Sequence, residues 1–387
     1  MNTELAVSKF KEIFKGEHEG IYFAPGRINV IGEHIDYNGG LVFPAAITLG
    51  TYALISKRED GMIHAYSMNF EQIGTIICEL ENLEYNENHN WVNYLKGMAK
   101  VLKGEGHKVE QGFNILIYGN IPNGSGLSSS ASLEMLCLAV FKELNNLDIT
   151  PVEAAILGKK VENEYIGVNS GIMDQFAISL GKKDQVILLD CNTLEYSYHP
   201  LELGKYKVVI MNTNKRRELA DSKYNERRSE CESALAKLQS VCSATNLCEV
   251  SLEVLEANKG LLAGKEYNRA YHVITENERV KEATQALERG DLVQLGQLLN
   301  ASHKSLCEDY EVTGIELDTL VHTAWEVPGV LGAHMTGAGF GGCSIALVDE
   351  SCIEEFITKV GAVYKDKIGY EASFFVATIG DGPKRIG

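Results

Sequence analysis

Apolar positions along the chain recur at two periods. Near the start, Leu5, Phe10, Ile13 and Phe14 are spaced as on an amphipathic helix. Ile21–Ala24 predicts a strand, Leu41–Lys57 further strand, and Phe113–Tyr118 (FNILIY) another, by its β-branched and aromatic content. Trp91–Lys103 and Leu133–Leu144 read as helices, and Pro151 suits the first position of a helix running towards Tyr165. Further on, strands are expected at Val186–Asp190, Tyr206–Met211, Ser344–Val348 and Phe374–Ala377. Helices are expected over Lys223–Val241 and near 266–288 and 291–308. No internal repeat is visible. The mixed order implies α+β domains and not a regular βαβ series. A boundary is expected at about residues 192–204, giving an N-terminal domain over 1–200 and a C-terminal domain over 201–387.

Length supports that division, because 387 residues are many for one core. The formal net charge of −17 argues against a nucleic-acid partner, which needs a basic surface to neutralise phosphates. It leaves a nucleotide ligand open, since backbone amides bind phosphate without net positive charge. Nine cysteines form an odd set with no CxxC pair, as expected of reduced, mostly buried thiols in a cytoplasm. The start lacks an apolar signal core, and no run approaches membrane-spanning length. A soluble cytoplasmic protein without a membrane or nucleic-acid partner is expected.

Candidate chemistry is concentrated in a few loops. Pro25–Pro44 reads PGRINVIGEHIDYNGGLVFP, with Arg27, Glu33, His34 and Asp36 set among glycines and apolar residues. Such a cluster can hydrogen-bond several hydroxyls of a small polyol at once, or it can be a surface loop with local ion pairs. Gly124–Ala131 (GSGLSSSA) lies between a strand and a helix, where glycine amides, a helix start and hydroxyls suit a phosphate; the other reading is a capped helix with a flexible loop. No lysine follows those glycines, so this is not a P-loop, and no HRD or DFG set is present. Gly337–Gly342 (GAGFGG) has the letters of a dinucleotide fingerprint, but a strand, CSIALV, follows it instead of a helix. It is either a tight connection or a second glycine loop closing on phosphates. In NSGIMDQF, Asp174 is a helix cap or a general base in a dry site. Glu162 and Glu164 cannot both face one side of a helix, so at most one enters a common site.

Read together, PGRINVIGEHIDYNGG, PNGSGLSSSAS and MTGAGFGGCSIAL, with NSGIMDQF and SKYNERRSECE, resemble the galactokinases of the GHMP small-molecule kinase superfamily. The matching segments run in family order from about residue 21 to 348, and GEHIDY and GIMDQF are the most specific. The resemblance implies an N-terminal domain like the second domain of ribosomal protein S5, a ferredoxin-like C-terminal domain, and a site between them. It implies transfer of the γ-phosphoryl group of ATP to the 1-hydroxyl of α-D-galactose, the first committed step of galactose metabolism, with Mg²⁺. By the same resemblance Asp174 is the base and Arg27 the cation beside it. Glu33, His34, Ile35, Asp36, Gly171 and Tyr224 line the sugar. Gly124, Ser125, Gly126, Leu127, Ser128, Ser129 and Ser130 wrap the phosphates, and Ser67 lies on the adenine side. Ser130 and Glu162 hold Mg²⁺, although counting alone does not separate Ser130 from Ser129. One carboxylate and one hydroxyl, completed by phosphates and waters, suit that ion. Rival readings are an N-acetylgalactosamine kinase, distinguished by a wider pocket at the sugar 2-position, and a non-catalytic galactose sensor. The intact SSSAS loop and Asp174 argue against the sensor. A monomer is expected.

Overall fold

The strand Gly20–Asn29 is buried along its whole length, although its residues alternate in direction. The reason is that helices cover both faces of its sheet. Tyr22 and Ala24 point to one side with Ala53, Ile55, Ile115 and Ile117, against Met98 of the helix Val92–Gly104 and Leu136 of the helix Ser129–Asn145. Ile21, Leu54 and Leu116 point to the other, against Ala6 and Phe10 of the helix Thr3–Phe14. This computed structural model describes residues 3–122, 126–215 and 220–387.

The sheet has six strands in the order Lys384–Arg385, Gly20–Asn29, Pro44–Arg58, Gly112–Gly119, Met62–Ser67 and Ile76–Glu79. Its pairs are antiparallel except for Met62–Ser67 with Gly112–Gly119. The end of the chain thus returns to the first sheet, where Arg385 pairs with Tyr22. A second, four-stranded sheet is antiparallel throughout, ordered Val330–Thr336, Cys343–Asp349, Tyr206–Asn212 and Ser373–Ala377. Numbered along the chain this order is 2-3-1-4, the ferredoxin-like arrangement, with the helix Ile353–Ile368 leading to the last strand. A three-stranded sheet joins Leu41–Val42, Gln185–Asp190 and Tyr196–Pro200. Among the described residues no helix is long and apolar enough to cross a membrane.

Several expected elements change on folding. Leu41–Lys57 is not one strand: Leu41–Val42 and Pro44–Arg58 belong to different sheets. The break falls at Phe43, whose N–H turns to the carbonyl of Ile31 (3.1 Å), before a proline with no N–H to give. The helix from Pro151 is α-helical only to Lys160 and continues as a π-turn, Val161–Ile166, closed by the Gly167 N–H on the Glu162 carbonyl (2.8 Å). The helix expected at Leu133 starts at Ser129, so Ser129 and Ser130 are helical residues, not loop residues. The stretch 192–204 contains the strand Tyr196–Pro200. The largest core cluster crosses that stretch, running from Ile28 to Ile379. The two halves also meet through Thr336, whose hydroxyl accepts from the Asn29 N–H (3.0 Å) and donates to the Asn29 carbonyl (3.2 Å).

Candidate active site

Arg27 reaches the site through an irregularity in its strand. The register with Pro44–Arg58 shifts between Pro25 and Gly26, where proline has no N–H for the ladder, and the shift re-aims the next side chain. The Arg27 guanidinium then forms a two-pronged pair with Asp174: Nε donates to Oδ1 at 2.8 Å and Nη2 to Oδ2 at 2.9 Å. Its Nη1 donates to the carbonyl of Gly126 at 2.7 Å. The Arg27 side chain is 4% exposed and that of Asp174 31%, so the cation stands behind and the carboxylate faces the opening. Burial alone would lower the Arg27 pKa, but Asp174, Glu33 and Asp36 around it raise it. Asp174 lies in the first turn of the helix Met173–Ser179 without being its cap, and it also accepts from the Ser128 hydroxyl.

Arg27 and Asp174 line a cavity of about 650 Å³ with Glu33, His34, Asp36, Gly171, Tyr224 and Glu162. Eight residues read from separate segments are thereby brought together. Asp36 and Gly171 touch so closely that a Cβ at Gly171 would lie 1.7 Å from Asp36 Oδ2, so any larger residue there would push the Asp36 carboxyl aside. His34 has left-handed backbone (φ 64°) and a ring held at both nitrogens. Its Nε2 lies 3.2 Å from the Ala338 carbonyl, which can only accept, so Nε2 bears the proton and Nδ1 accepts from the Tyr37 hydroxyl (2.8 Å). Burial depresses the His34 pKa to about 3, keeping the ring neutral. Burial pushes the Glu33 carboxyl up to about 8 despite Arg27 beside it, and lifts Asp36 to about 6 with added repulsion from Asp174. Tyr224 stands near His34 and Tyr37, with ring centroids 5.6 and 5.3 Å away.

Other expected residues fall elsewhere. The Ile35 side chain is fully buried in the main core and adds nothing to the lining, because it is the apolar anchor of this loop. Leu127 is likewise buried, and Gly126, Leu127 and Ser128 stand behind Arg27 and Asp174. Gly124 and Ser125 lie outside the described residues. Ser67, Ser129 and Ser130 line a neighbouring cavity of about 180 Å³ with Asn69, Trp91 and Tyr94. The cavities are linked by Ser130, which donates to Glu162 Oε1 at 2.9 Å; Ser170 donates to its Oε2 at 2.5 Å. Glu162 is buried, which raises its pKa, whereas Glu164 on the same π-turn is exposed. The loop 337–342 connects two paired strands, and Gly337 and Ala338 line the larger cavity. Gly337 packs on the first glycine loop, where a Cβ would meet the Gly126 carbonyl at 2.7 Å. Tyr37, Ser170, Met173, Ser222 and Asn225 also line the cavity and were not singled out from the sequence. All five lie inside segments that carried the resemblance: Tyr37 in GEHIDYNGG, Ser170 and Met173 in NSGIMDQF, Ser222 and Asn225 in SKYNERRSECE.

Two glycine loops closing on one another over an Arg–Asp pair, between a ferredoxin-like sheet and a mixed sheet, define the class: a small-molecule kinase of the GHMP type. The GHMP kinase N-terminal domain matches residues 93–182 and the GHMP kinase C-terminal domain residues 283–366. The galactokinase galactose-binding signature matches residues 8–57. The chain is 57% identical to the galactokinase of Clostridium perfringens over the full length of both, and 57% identical to that of Ligilactobacillus salivarius over 99% of this chain and 100% of that one. The crystal structure of Lactococcus lactis galactokinase complexed with galactose superposes with a TM-score of 0.97 at 50% identity, covering 100% of both chains. The chain belongs to the galactokinase family of ATP-dependent sugar kinases.

Titration of Asp36 is expected to set a pH limit on hydroxyl binding in this cavity. Its carboxylate form can accept from two hydroxyls, and its neutral form loses one of those sites. Sugar affinity is therefore expected to fall as pH drops through about 6, the value to which burial raises this group. Calorimetric titration of sugar between pH 5 and 8 checks this; a flat profile over that range would contradict it.

Proposed function

We propose that the chain moves the γ-phosphoryl group of ATP to the 1-hydroxyl of α-D-galactose, giving galactose 1-phosphate and ADP. The observation that carries this reading is the convergence of Glu33, His34, Asp36, Gly171 and Tyr224 on the open face of the Arg27–Asp174 pair, in one cavity. Carboxylates that accept from vicinal hydroxyls beside an aromatic face suit a neutral hexose. The Lactococcus galactokinase, solved with galactose, supports that choice. The part before about residue 200 supplies most of the cavity, and the part after it closes the cavity with Tyr224, Gly337 and Ala338. A monomer is proposed as the working unit.

Phosphoryl transfer through a loose transition state depends on positioning and charge neutralisation more than on covalent chemistry. Asp174 Oδ1 takes one hydrogen bond from Arg27 and retains a lone pair for the acceptor hydroxyl. Held by a guanidinium and a serine, this carboxylate orients the hydroxyl first and takes its proton late. Ser67, Ser129 and Ser130, with Trp91 and Tyr94, offer a pocket for the nucleotide. Asp36, Glu162 and Asp174 outnumber the one arginine among the described residues lining the larger cavity, which favours a polyphosphate that enters with a cation. Ser130 and Glu162 are hard oxygen donors within hydrogen-bond distance of each other, which fits Mg²⁺ sharing its remaining positions with phosphates and water. Bound there, the ion would neutralise charge on the transferring phosphoryl group.

An ADP-release assay with galactose, N-acetylgalactosamine, glucose and no sugar tests the assignment. Turnover with galactose and rejection of glucose are expected, because the equatorial 4-hydroxyl of glucose leaves a desolvated carboxylate oxygen without its donor. Equal kcat/KM for galactose and glucose would sink the galactose assignment.

Asp174→Asn should retain galactose and ATP binding and lose turnover by about 10²-fold or more, the scale of a positioned general base. Near-native turnover in a folded variant would remove Asp174 from that role. Glu162→Gln should raise the Mg²⁺ concentration needed for half-maximal rate while leaving galactose affinity near native. An unchanged metal titration would return Glu162 to a purely structural part.

A further inference from the structure

The sugar-side loop is held in place by a carboxylate that never reaches the cavity. Glu276, on the helix Glu266–Glu288, is fully buried. Its Oε1 accepts from the N–H groups of Gly32 (3.0 Å) and Glu33 (3.3 Å), and from the Ser302 hydroxyl (2.6 Å). Its Oε2 accepts from Arg279 Nε at 2.6 Å. Burial would push this carboxyl up, but Arg279, His272 and Ser302 hold its pKa down to about 2, so it acts only as an acceptor. One turn earlier on the same helix, His272 Nε2 donates to the Glu33 carbonyl at 3.1 Å. One residue later, Asn277 Oδ1 accepts from the Leu41 N–H at 2.9 Å, at the far end of the loop. Both backbone polar groups of Glu33 are thus fixed by a helix more than two hundred residues away in sequence. The next residue, His34, holds its left-handed backbone against that fixed point.

We propose that Glu276 is a positioning residue for sugar recognition: by clamping the 32–33 peptide from the C-terminal half, it sets the directions in which Glu33, His34 and Asp36 enter the cavity. The inference rests on the galactose reading of that cavity. A purely structural ion pair would lower stability without selecting between substrates, whereas a clamp on the sugar loop acts on sugar affinity and leaves the nucleotide pocket alone. That pocket is lined by Ser67, Trp91 and Ser130 of the N-terminal half. Its hydroxyls are held locally, Ser67 by the Asn69 N–H (3.2 Å) and Ser130 by Glu162.

The test is calorimetric titration of galactose, with steady-state KM values for galactose and ATP, on the native chain, Glu276→Gln and Ser302→Ala. Glutamine keeps the shape but turns an NH₂ group either towards the two backbone donors or towards Arg279. Galactose Kd and KM should rise roughly tenfold, the worth of one charge-assisted hydrogen bond, with the KM for ATP within about twofold of native. Ser302→Ala removes one neutral donor from the same oxygen and should give a smaller shift of the same kind, which keeps the proposal testable if the glutamine variant does not fold. Native galactose affinity in the folded variants would overturn the proposal alone, as would equal losses for galactose and ATP. A native chain that binds no galactose would overturn the reading of the cavity, and the proposal with it.

Discussion

The site depends on one buried guanidinium. Arg27 spends its three nitrogens on Asp174 and on the Gly126 carbonyl, and so ties together a sheet strand, the first glycine loop and the helix Met173–Ser179. A cation taken so far from water is tolerated only with a well-aligned partner, because desolvation is otherwise larger than the attraction gained. The two-pronged geometry meets that condition, and a lysine could not reproduce its planar fork of donors. Asp174 then has little orientational freedom. The group proposed to receive the acceptor proton is fixed before any substrate arrives.

This constraint explains why glycines occur where they do. Gly337 allows the second loop to lie on the carbonyl that Arg27 also holds, and Gly171 allows the backbone before Asp174 to press against Asp36. The glycine pattern is thus a record of close approaches around a fixed ion pair. The π-turn over Val161–Ile166 has a related effect. By resetting the helical phase after Lys160 it buries Glu162 beside Ser130 and Ser170 while Glu164 stays in solvent. Turns of this kind inside helices are frequent at functional sites.

Much of this was legible in the residues alone. Arg27, Glu33, His34 and Asp36 among glycines offered a polar pocket as one of two readings, although nothing in the residues placed Arg27 in the buried strand Gly20–Asn29. The long helices near 266–288 and 291–308 showed themselves by periodicity. Less legible was whatever depends on which side chain the fold turns inward. Ile35 stands between two cavity residues and yet anchors the loop in the core, and Ser128 turns to Asp174 instead of remaining a free hydroxyl. The split of Leu41–Lys57 between two sheets was hidden because both parts are equally apolar. Period alone does not say which sheet a strand joins. Glu276 was invisible for the opposite reason: a glutamate on a long charged helix reads as a solvated one until tertiary structure buries it.

The balance of charge around the cavity connects these features. A hexose is neutral and can be held by a carboxylate such as Asp36 and by the Glu33 carboxyl that burial keeps protonated near neutral pH; a nucleotide polyphosphate is repelled by the anionic Asp36. With Arg27 already committed to Asp174, the cavity has no spare lining cation among the described residues to neutralise phosphate. A divalent cation between the proposed sugar and phosphate ends would change the sign of the potential there. Ser130 and Glu162 stand at that junction, one lining each cavity, and their oxygens are the donors a hard divalent cation prefers. On this argument a divalent cation held by Ser130 and Glu162 would complete the electrostatics of the site, with Arg27 supplying the positioning of Asp174.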